Sequence, residues 1–360
     1  MFVKTFFYNP KLMNNFIFKK TLVIGLGVMG GSLAKALKKY DLSHEIFAFD
    51  EDYLAIESAK KQKIIDGFAL LDEAINEFDL IVIATPLSSY QQIFKKIFPF
   101  LNQKNLVIDL GSIKDFSRLS LKLPTNFIAC HPIAGSHQSG FEFSSAELFA
   151  NKKFVICNAK NLTADVKKIQ EMVNKIAGEI DFLEAKKHDE IFALTSHLPQ
   201  FLSFLSKEFS PKNLDDIFLQ QCFRLDQSSG DIWSDIFKFN EKNIEKYYEE
   251  FFINLSESFE NLTSFNYDYC NQLAVNYEIP LPNLIEQNIF NDNFSSIFFR
   301  FLIVANYLKI NDLKNNFQYC GSGFRDFTSL IAFCNLDAEK IKFFVKKDLI
   351  KIQKFYQAIS

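Results

Sequence analysis

Hydrophobic and polar positions follow two different patterns along the chain. From about residue 21 to residue 184, short apolar runs alternate with amphipathic stretches, which is typical of βαβ units around a parallel sheet. The apolar runs predict six strands, at residues 21–25, 45–50, 80–85, 105–110, 127–130 and 153–157. Stretches with mixed polar and apolar faces predict helices at 32–40, 88–101 and 162–176.

The second pattern begins at residue 186. Strand-like runs become rare there, and long amphipathic segments rich in Phe, Leu, Lys, Asn and Glu predict an all-helical C-terminal domain. We therefore expect four parts in the chain. They are an N-terminal extension (1–20), an α/β domain (21–185), a helical domain (186–264) and a helical C-terminal extension of unknown role (265–360).

Composition and charge narrow the class of protein. The chain has 360 residues, of which 48% are hydrophobic and 23% charged, which is typical of a globular protein and excludes a disordered or collagen-like chain. A net charge of −3 provides no basic surface for nucleic acid or anionic lipid. No apolar run of 18 residues predicts a membrane span. We expect neither a nucleic-acid nor a membrane partner.

Cysteine usage indicates the compartment. The six cysteines are scattered without a C-x-x-C pair, so the sequence predicts neither a disulfide framework nor a zinc or other metal site. The first twenty residues lack the pattern of a secretory signal. A reducing cytoplasm is the expected location.

Glycine is scarce in this chain, yet four of its 12 glycines lie between positions 25 and 31. Gly25, Gly27 and Gly30 form a G-x-G-x-x-G motif that follows a predicted strand and opens a predicted helix. The first glycine allows a tight turn, the second lets a pyrophosphate approach the backbone, and the third allows close helix–strand packing. The motif predicts a Rossmann-type, doubly wound sheet that binds a dinucleotide. The alternative is a glycine-rich turn without a ligand.

Asp50 ends the second predicted strand, twenty residues after Gly30. A carboxylate at this place accepts hydrogen bonds from adenosine ribose hydroxyls and repels a 2′-phosphate, which favours NAD over NADP. The alternative is a solvated residue at the end of a strand. The predicted cofactor site comprises Gly25, Leu26, Gly27, Val28, Met29, Gly30, Asp50, Thr85 and Pro86.

Further polar residues follow other predicted strands. Ser112 lies in DLGSIKD and His131 in ACHPIAG, each at a carboxyl end of a strand. Because ligands of parallel sheets bind along this edge, we expect both residues near the cofactor. A histidine there can act as a general base near neutral pH. A structural histidine is the alternative.

Four strings occur in a fixed order: GLGVMGGS, DLGSIK, HPIAGSHQSGFE and TSHLPQ. In this order and spacing, residues 20–253 resemble the prephenate dehydrogenase family of tyrosine biosynthesis, which includes prephenate and arogenate dehydrogenases. The resemblance implies NAD-dependent oxidative decarboxylation of prephenate to 4-hydroxyphenylpyruvate. One alternative is the same chemistry on arogenate, and another is a dinucleotide-binding protein without catalysis.

The resemblance also implies roles for individual residues. His131 would accept a hydrogen bond from the ring hydroxyl of the substrate, and Ser112 would contact the same hydroxyl and orient the cofactor. Arg224 would bind the ring carboxylate, and His197 and Ser136 would line the substrate pocket. The helical domain would bind the substrate and form a homodimer. Arg224 in an ion pair with a nearby aspartate, and His197 as a core residue, are the alternatives.

Two features depart from the family pattern. His137 stands where many members have an acidic residue, so the resemblance leaves gating of the pocket and feedback inhibition by tyrosine open. The segment G-G-G-F-R-D-F-T that usually precedes the arginine is absent before Arg224, and a similar string, GSGFRDFTS, appears at 321–329. This string is either a chance similarity or a segment that packs against the helical domain and replaces the missing loop. The second interpretation makes Arg325 another candidate for carboxylate binding.

Overall fold

The computed structural model describes residues 16–119, 123–135, 138–157, 163–207, 217–228, 230–260, 300 and 302–328. Ser136 and His137, and most of the expected C-terminal extension, lie outside these residues. The chain divides into two compact units, Met1–Ala185 and Lys186–Ser360.

The first unit contains an eight-stranded sheet in the order β3-β2-β1-β4-β5-β6-β7-β8. Its first six strands follow the order of the dinucleotide-binding Rossmann fold and run parallel to one another, which confirms the expected α/β class. The strands are β1 (Phe18–Ile24), β2 (Ser43–Phe49), β3 (Gly67–Phe68), β4 (Leu80–Ile83), β5 (Leu106–Asp109), β6 (Phe127–Pro132), β7 (Lys153–Cys157) and β8 (Glu179–Leu183).

The sheet differs from the prediction in three respects. Strand β7 is antiparallel to β6, because the described part of the intervening segment contains no α-helix to carry the chain back across the sheet. Strands β3 and β8 were not predicted, since β3 has only two residues and β8 is a partly exposed edge strand. Strand β1 begins at Phe18, within the expected N-terminal extension, because this side chain is buried in the core.

Four helices cover the sheet; three of them overlap predicted helices, and the helix at Tyr53–Lys61 was not predicted. They are α1 (Val28–Lys39), α2 (Tyr53–Lys61), α3 (Tyr90–Ile97) and α4 (Ala164–Ile176). Two begin at side-chain caps: Asp52 accepts from the Leu54 N–H, and Thr163 accepts from the Val166 N–H. The apolar faces of α1, α2 and α4 pack on the sheet in one core with fully buried Leu33. This core holds the carboxyl edge of the strands in place.

In the described part of the second unit, the regular secondary structure is entirely helical, as expected. Its helices are α5 (Ala185–Phe192, which begins at the last residue of the first unit), α6 (Leu198–Leu205), α7 (Ile217–Cys222), α8 (Gly230–Glu260), α9 (302–307), α10 (Leu313–Asn316) and α11 (Ser322–Thr328). A π-helical turn, Ala193–His197, joins α5 to α6. Helices α6, α8, α9 and α11 contribute to one core, in which Leu302 and Phe327 are fully buried. None of the described helices combines the length and apolar character that a membrane crossing requires.

Candidate active site

The glycine motif forms a tight turn between β1 and α1. Gly25 has φ +96°, and a Cβ there would lie 2.6 Å from the Ala84 carbonyl oxygen. A Cβ on Gly30 would lie 1.9 Å from the Gly25 carbonyl oxygen. A Cβ on Gly27, in contrast, would meet no described atom within 4 Å, and this residue caps α1 without a side-chain hydrogen bond. The turn therefore leaves open space in front of the unpaired N–H groups of the helix, which suits a pyrophosphate.

Asp50 is held beside this turn by the backbone. Its Oδ2 accepts a hydrogen bond from the Leu26 N–H at 2.5 Å, and its Oδ1 accepts one from the Asp52 N–H at 2.8 Å. Thr85 lies against Gly25, and its Oγ1 accepts from the Ser89 hydroxyl at 2.8 Å. The turn, Asp50 and Thr85 are thus brought together, Val28 and Met29 open α1 beside them, and Pro86 follows Thr85 in the chain. This arrangement fits a dinucleotide with a free ribose 2′-hydroxyl.

A buried polar network lies under the neighbouring strand ends. Asp109, the last residue of β5, accepts hydrogen bonds from the Tyr90 hydroxyl at 2.9 Å and from the Gly111 N–H at 3.1 Å. Its second oxygen accepts from the Cys130 N–H at 3.1 Å. Lys114 completes the network through an ion pair with Asp109 and a 2.6 Å bond to the Cys130 carbonyl. The side chains of Asp109 and Lys114 are both 0% exposed.

This network fixes the two predicted catalytic residues. Ser112 lies in the loop between Gly111 and Lys114, and His131 follows Cys130 in β6 with only 9% of its surface exposed. One ion pair therefore ties the serine loop to the strand that carries the histidine.

The network also changes the acidity of its members. Burial raises the pKa of the Asp109 carboxyl, and the Lys114 ammonium counteracts this effect. Burial, together with the charge of Asp109, holds the pKa of the Tyr90 hydroxyl well above its ordinary value. Tyr90 therefore remains a hydrogen-bond donor at neutral pH. Sequence reasoning missed this network, although the string DLGSIK contains both charges and places one of them at the end of an apolar strand.

In the helical unit, Arg224 forms an ion pair with Asp326 of α11. Its Nε donates to Asp326 Oδ2 at 2.7 Å, while Gln221 Nε2 donates to the other carboxylate oxygen at 3.0 Å. The side chain of Arg224 remains 36% exposed. Arg224 thus forms an ion pair, as in the alternative interpretation of the sequence. Its partner is not a nearby aspartate, however, but one that lies 102 residues away in the chain.

The segment that contains Asp326 is the displaced GSGFRDFTS string. Phe324 and Phe327 anchor it in the helical core, and Arg325 is exposed. The described part of the string thus packs against the helical unit. Arg300, by comparison, is 1% exposed, and its two terminal guanidinium nitrogens pair with Ser203 and Asp226 inside the core.

His197 ends the π-helical turn and is 1% exposed. Its Nδ1 lies 2.9 Å from Asn240 Nδ2, and its ring meets Trp233 edge to face at 6.2 Å between centroids. Burial lowers the pKa of His197 to about 3, with a smaller opposing effect of Asp189. His197 is therefore neutral at physiological pH.

The strand order and the glycine turn define a Rossmann-type nucleotide-binding domain, which in this chain precedes a helical unit. Two family models match the chain: the nucleotide-binding domain of prephenate dehydrogenase at residues 33–181 and its dimerization domain at residues 184–273. The chain belongs to the prephenate dehydrogenase family.

Individual relatives show the extent of the similarity. The chain is 33% identical over 191 residues to prephenate dehydrogenase of Lactococcus lactis, which is 51% of this chain and 52% of that protein. It is 28% identical to cyclohexadienyl dehydrogenase of Zymomonas mobilis, over 52% of this chain and 66% of that protein. The chain thus spans about half to two thirds of the length of these curated relatives.

A solved structure covers a larger share. Prephenate dehydrogenase of Aquifex aeolicus, in complex with hydroxyphenyl propionate and NAD+, is similar with a TM-score of 0.60 and 27% identity. The similarity extends over 68% of this chain and 90% of that chain.

The buried network generates a prediction about stability. Lys114→Met leaves the Asp109 carboxylate buried without its cation, which is expected to lower the free energy of unfolding by about 3–5 kcal/mol. Lys168→Met, which removes an exposed ion pair with Asp165, is the matched control and should cost less than about 1 kcal/mol. Urea unfolding followed by circular dichroism measures both. Equal costs for the two variants would show that the buried pair has no special structural role.

His197 generates a prediction about pH. Because the pKa of its imidazole is about 3 in the folded chain and about 6.5 when unfolded, the unfolded state binds more protons between these values. Protonation of His197 in the unfolded state should therefore lower the free energy of unfolding by about 1 kcal/mol as the pH falls from 7 to 5.5. His197→Gln should remove this part of the slope, and His44→Gln, at an exposed position, should not. Urea unfolding followed by fluorescence of Trp233, the only tryptophan, reports on the same contact.

Proposed function

We propose that the chain is an NAD-dependent dehydrogenase that oxidises and decarboxylates prephenate to 4-hydroxyphenylpyruvate. The observation that carries the proposal is the shared edge of the sheet. The open glycine turn, the fixed Asp50 carboxylate and Ser112 follow carboxyl ends of parallel strands, and His131 lies at the carboxyl end of β6. Family membership and the NAD-bound structure from Aquifex aeolicus support the assignment.

The proposed cofactor is NAD, which when bound accepts a hydride at its nicotinamide ring. Gly27 and the N-terminus of α1 would hold its pyrophosphate, and Asp50 would accept hydrogen bonds from its adenosine ribose. The backbone donors from Leu26 and Asp52 keep this carboxylate in place. Its negative charge disfavours the 2′-phosphate of NADP.

The proposed catalytic residues act on the ring hydroxyl of the substrate. His131 would accept a hydrogen bond from this hydroxyl and polarise it while the hydride leaves the same carbon. Ser112 contacts the hydroxyl and orients the reacting groups. Loss of the ring carboxylate as carbon dioxide then makes the ring aromatic, so the protein needs to supply positioning rather than covalent chemistry.

Substrate binding is assigned to the helical unit. The partly exposed guanidinium of Arg224 suits a ring carboxylate, and the ion pair with Asp326 holds this guanidinium by its Nε side. His197 is proposed to contact the substrate as a neutral donor. Ser136, proposed as a further substrate contact, lies outside the described residues.

Arogenate is the second candidate substrate. It differs from prephenate by an amine in place of the side-chain carbonyl, so the ring chemistry is the same. The similarity to a cyclohexadienyl dehydrogenase supports a substrate with this type of ring.

The assembly and location expected from the sequence are part of the proposal. A homodimer through the helical unit is supported by the match to a dimerization domain. A cytoplasmic location is proposed as well; none of the described cysteines Cys130, Cys157, Cys222 and Cys320 forms a disulfide, which suits a reducing compartment.

An absorbance assay tests the activity. Purified chain mixed with NAD and prephenate is expected to produce reduced nicotinamide, because the chain carries both the cofactor turn and the hydroxyl acceptor. His131→Asn should lower turnover by roughly 100-fold or more, the usual contribution of a general base, with little change in substrate affinity. A parallel assay with arogenate separates the two substrates. Cofactor binding without turnover on either substrate would favour a non-catalytic protein.

A second prediction concerns the carboxylate site. Arg224→Ala should raise the KM for prephenate because a charge-assisted contact is removed. The expected loss of binding free energy is about 1.5–3 kcal/mol. Arg325→Ala is the matched variant on the neighbouring segment and should leave the KM near that of the unmodified chain. The reverse pattern in steady-state kinetics would move the carboxylate site to α11.

A further inference from the structure

Helix α8 is interrupted at one residue, Asn240. This residue has φ −109° and ψ 16° within the 31-residue helix, and it is only 2% exposed. Asparagine is unfavourable in helix interiors because its side chain competes for backbone hydrogen bonds. An irregular, buried asparagine in a long helix therefore calls for a local cause, and its side-chain contacts provide one.

The hydrogen bonds of Asn240 determine how its amide is oriented. Nδ2 donates to the Asp189 carbonyl at 2.7 Å, and this carbonyl can only accept. Oδ1 in turn accepts from Asn243 Nδ2 at 2.8 Å. The opposite orientation would place two oxygens against each other, so the NH2 group must face Asp189.

The same NH2 group determines the tautomer of His197. Its second hydrogen is directed to His197 Nδ1, at 2.9 Å between the nitrogens. A nitrogen that faces a donor must accept, so Nδ1 carries no proton. In the neutral imidazole the proton is therefore on Nε2, and Nε2 is a hydrogen-bond donor.

The surrounding charges are compatible with this neutral form. His197 is 1% exposed, and the titratable groups that face it come from α5, where His188 Nδ1 pairs with Asp189 Oδ1 at 2.8 Å. Burial is the dominant effect and lowers the pKa of His197. Asn240, a neutral donor, contributes no charge that would protonate the ring.

The helix that carries His197 is irregular at the same contact. The π-helical turn Ala193–His197 widens the backbone, and the Leu194 carbonyl accepts from the Tyr307 hydroxyl at 2.7 Å. Short π-helical segments are rare and occur frequently at functional sites. Two helices thus depart from regular geometry where Asn240 meets His197.

We propose that Asn240 is a positioning residue that holds His197 with its proton on Nε2, as a donor to a carboxylate or carbonyl oxygen of the substrate. The assignment of a substrate contact rests on the proposed function. The tautomer itself is a property of the folded chain, so it can be measured without turnover.

The first measurement is nitrogen-15 NMR of the histidine side chains in the full chain, with the His197 signals assigned by their loss in His197→Gln. The unmodified chain is expected to show protonated Nε2 and unprotonated Nδ1 at His197. Asn240→Asp replaces the donor by an acceptor of nearly the same shape. It is expected to move the proton to Nδ1 or to produce the doubly protonated ring, because the new carboxylate raises the pKa of His197.

The second measurement is the pH dependence of steady-state kinetics. In Asn240→Asp the KM for prephenate is expected to rise by about tenfold, with kcat changed by less than about twofold, and to vary with pH between 5 and 8. Asn254→Asp is the matched control on α8, where the side chain donates to the Asn306 carbonyl, and it should leave KM and the histidine signals unchanged.

Several outcomes separate this inference from the proposed function. A protonated Nδ1 at His197 in the unmodified chain would overturn the inference, even if Asn240→Asp fails to fold. An unchanged tautomer and KM in folded Asn240→Asp would also overturn it. The expected tautomer together with no turnover on prephenate or arogenate would support the positioning of His197 and refute the proposed function.

Discussion

Asp109 and Lys114 form an ion pair from which solvent is fully excluded, and the geometry of the sheet edge depends on how these charges are satisfied. Burying two charges costs several kcal/mol per ion unless their remaining hydrogen-bonding groups are also paired. In this chain Tyr90, Gly111 and Cys130 provide those partners, from α3, the serine loop and β6. Moving any of these elements would remove a hydrogen-bond partner from a charge that remains buried in an apolar core. The positions of Ser112 and His131 therefore follow from an electrostatic constraint beneath them.

The described part of the helical unit contains two arginine–aspartate ion pairs, which differ in burial. Arg300 is buried against Asp226 and Ser203, while Arg224 pairs with Asp326 and remains partly exposed. Both pairs join segments about 70 to 100 residues apart in the chain. The buried arginine, Arg300, joins the C-terminal part of the helical unit to Asp226 and Ser203. The partly exposed Arg224 is the guanidinium to which the proposed function assigns the ring carboxylate.

The sequence predicted the fold well where local patterns carry the information. Parallel strands buried on both faces appear as continuous apolar runs, and the glycine motif identified the turn between β1 and α1. The antiparallel direction of β7 was missed because strand direction depends on the path of the connection. Edge strand β8 was missed because a strand with one partner and partly exposed side chains lacks a distinct pattern.

The sequence by itself determined the order of elements, the family resemblance and the residues that follow strand ends, because motif spacing and apolar periodicity are local properties. Only the tertiary structure decided which distant groups meet. The pairing of Asp326 with Arg224 and the contact of Asn240 with His197 join positions 102 and 43 residues apart. Charge pairing and the placement of a proton depend on distances of about 3 Å. Such distances arise only when helices that are remote in the chain pack into one core.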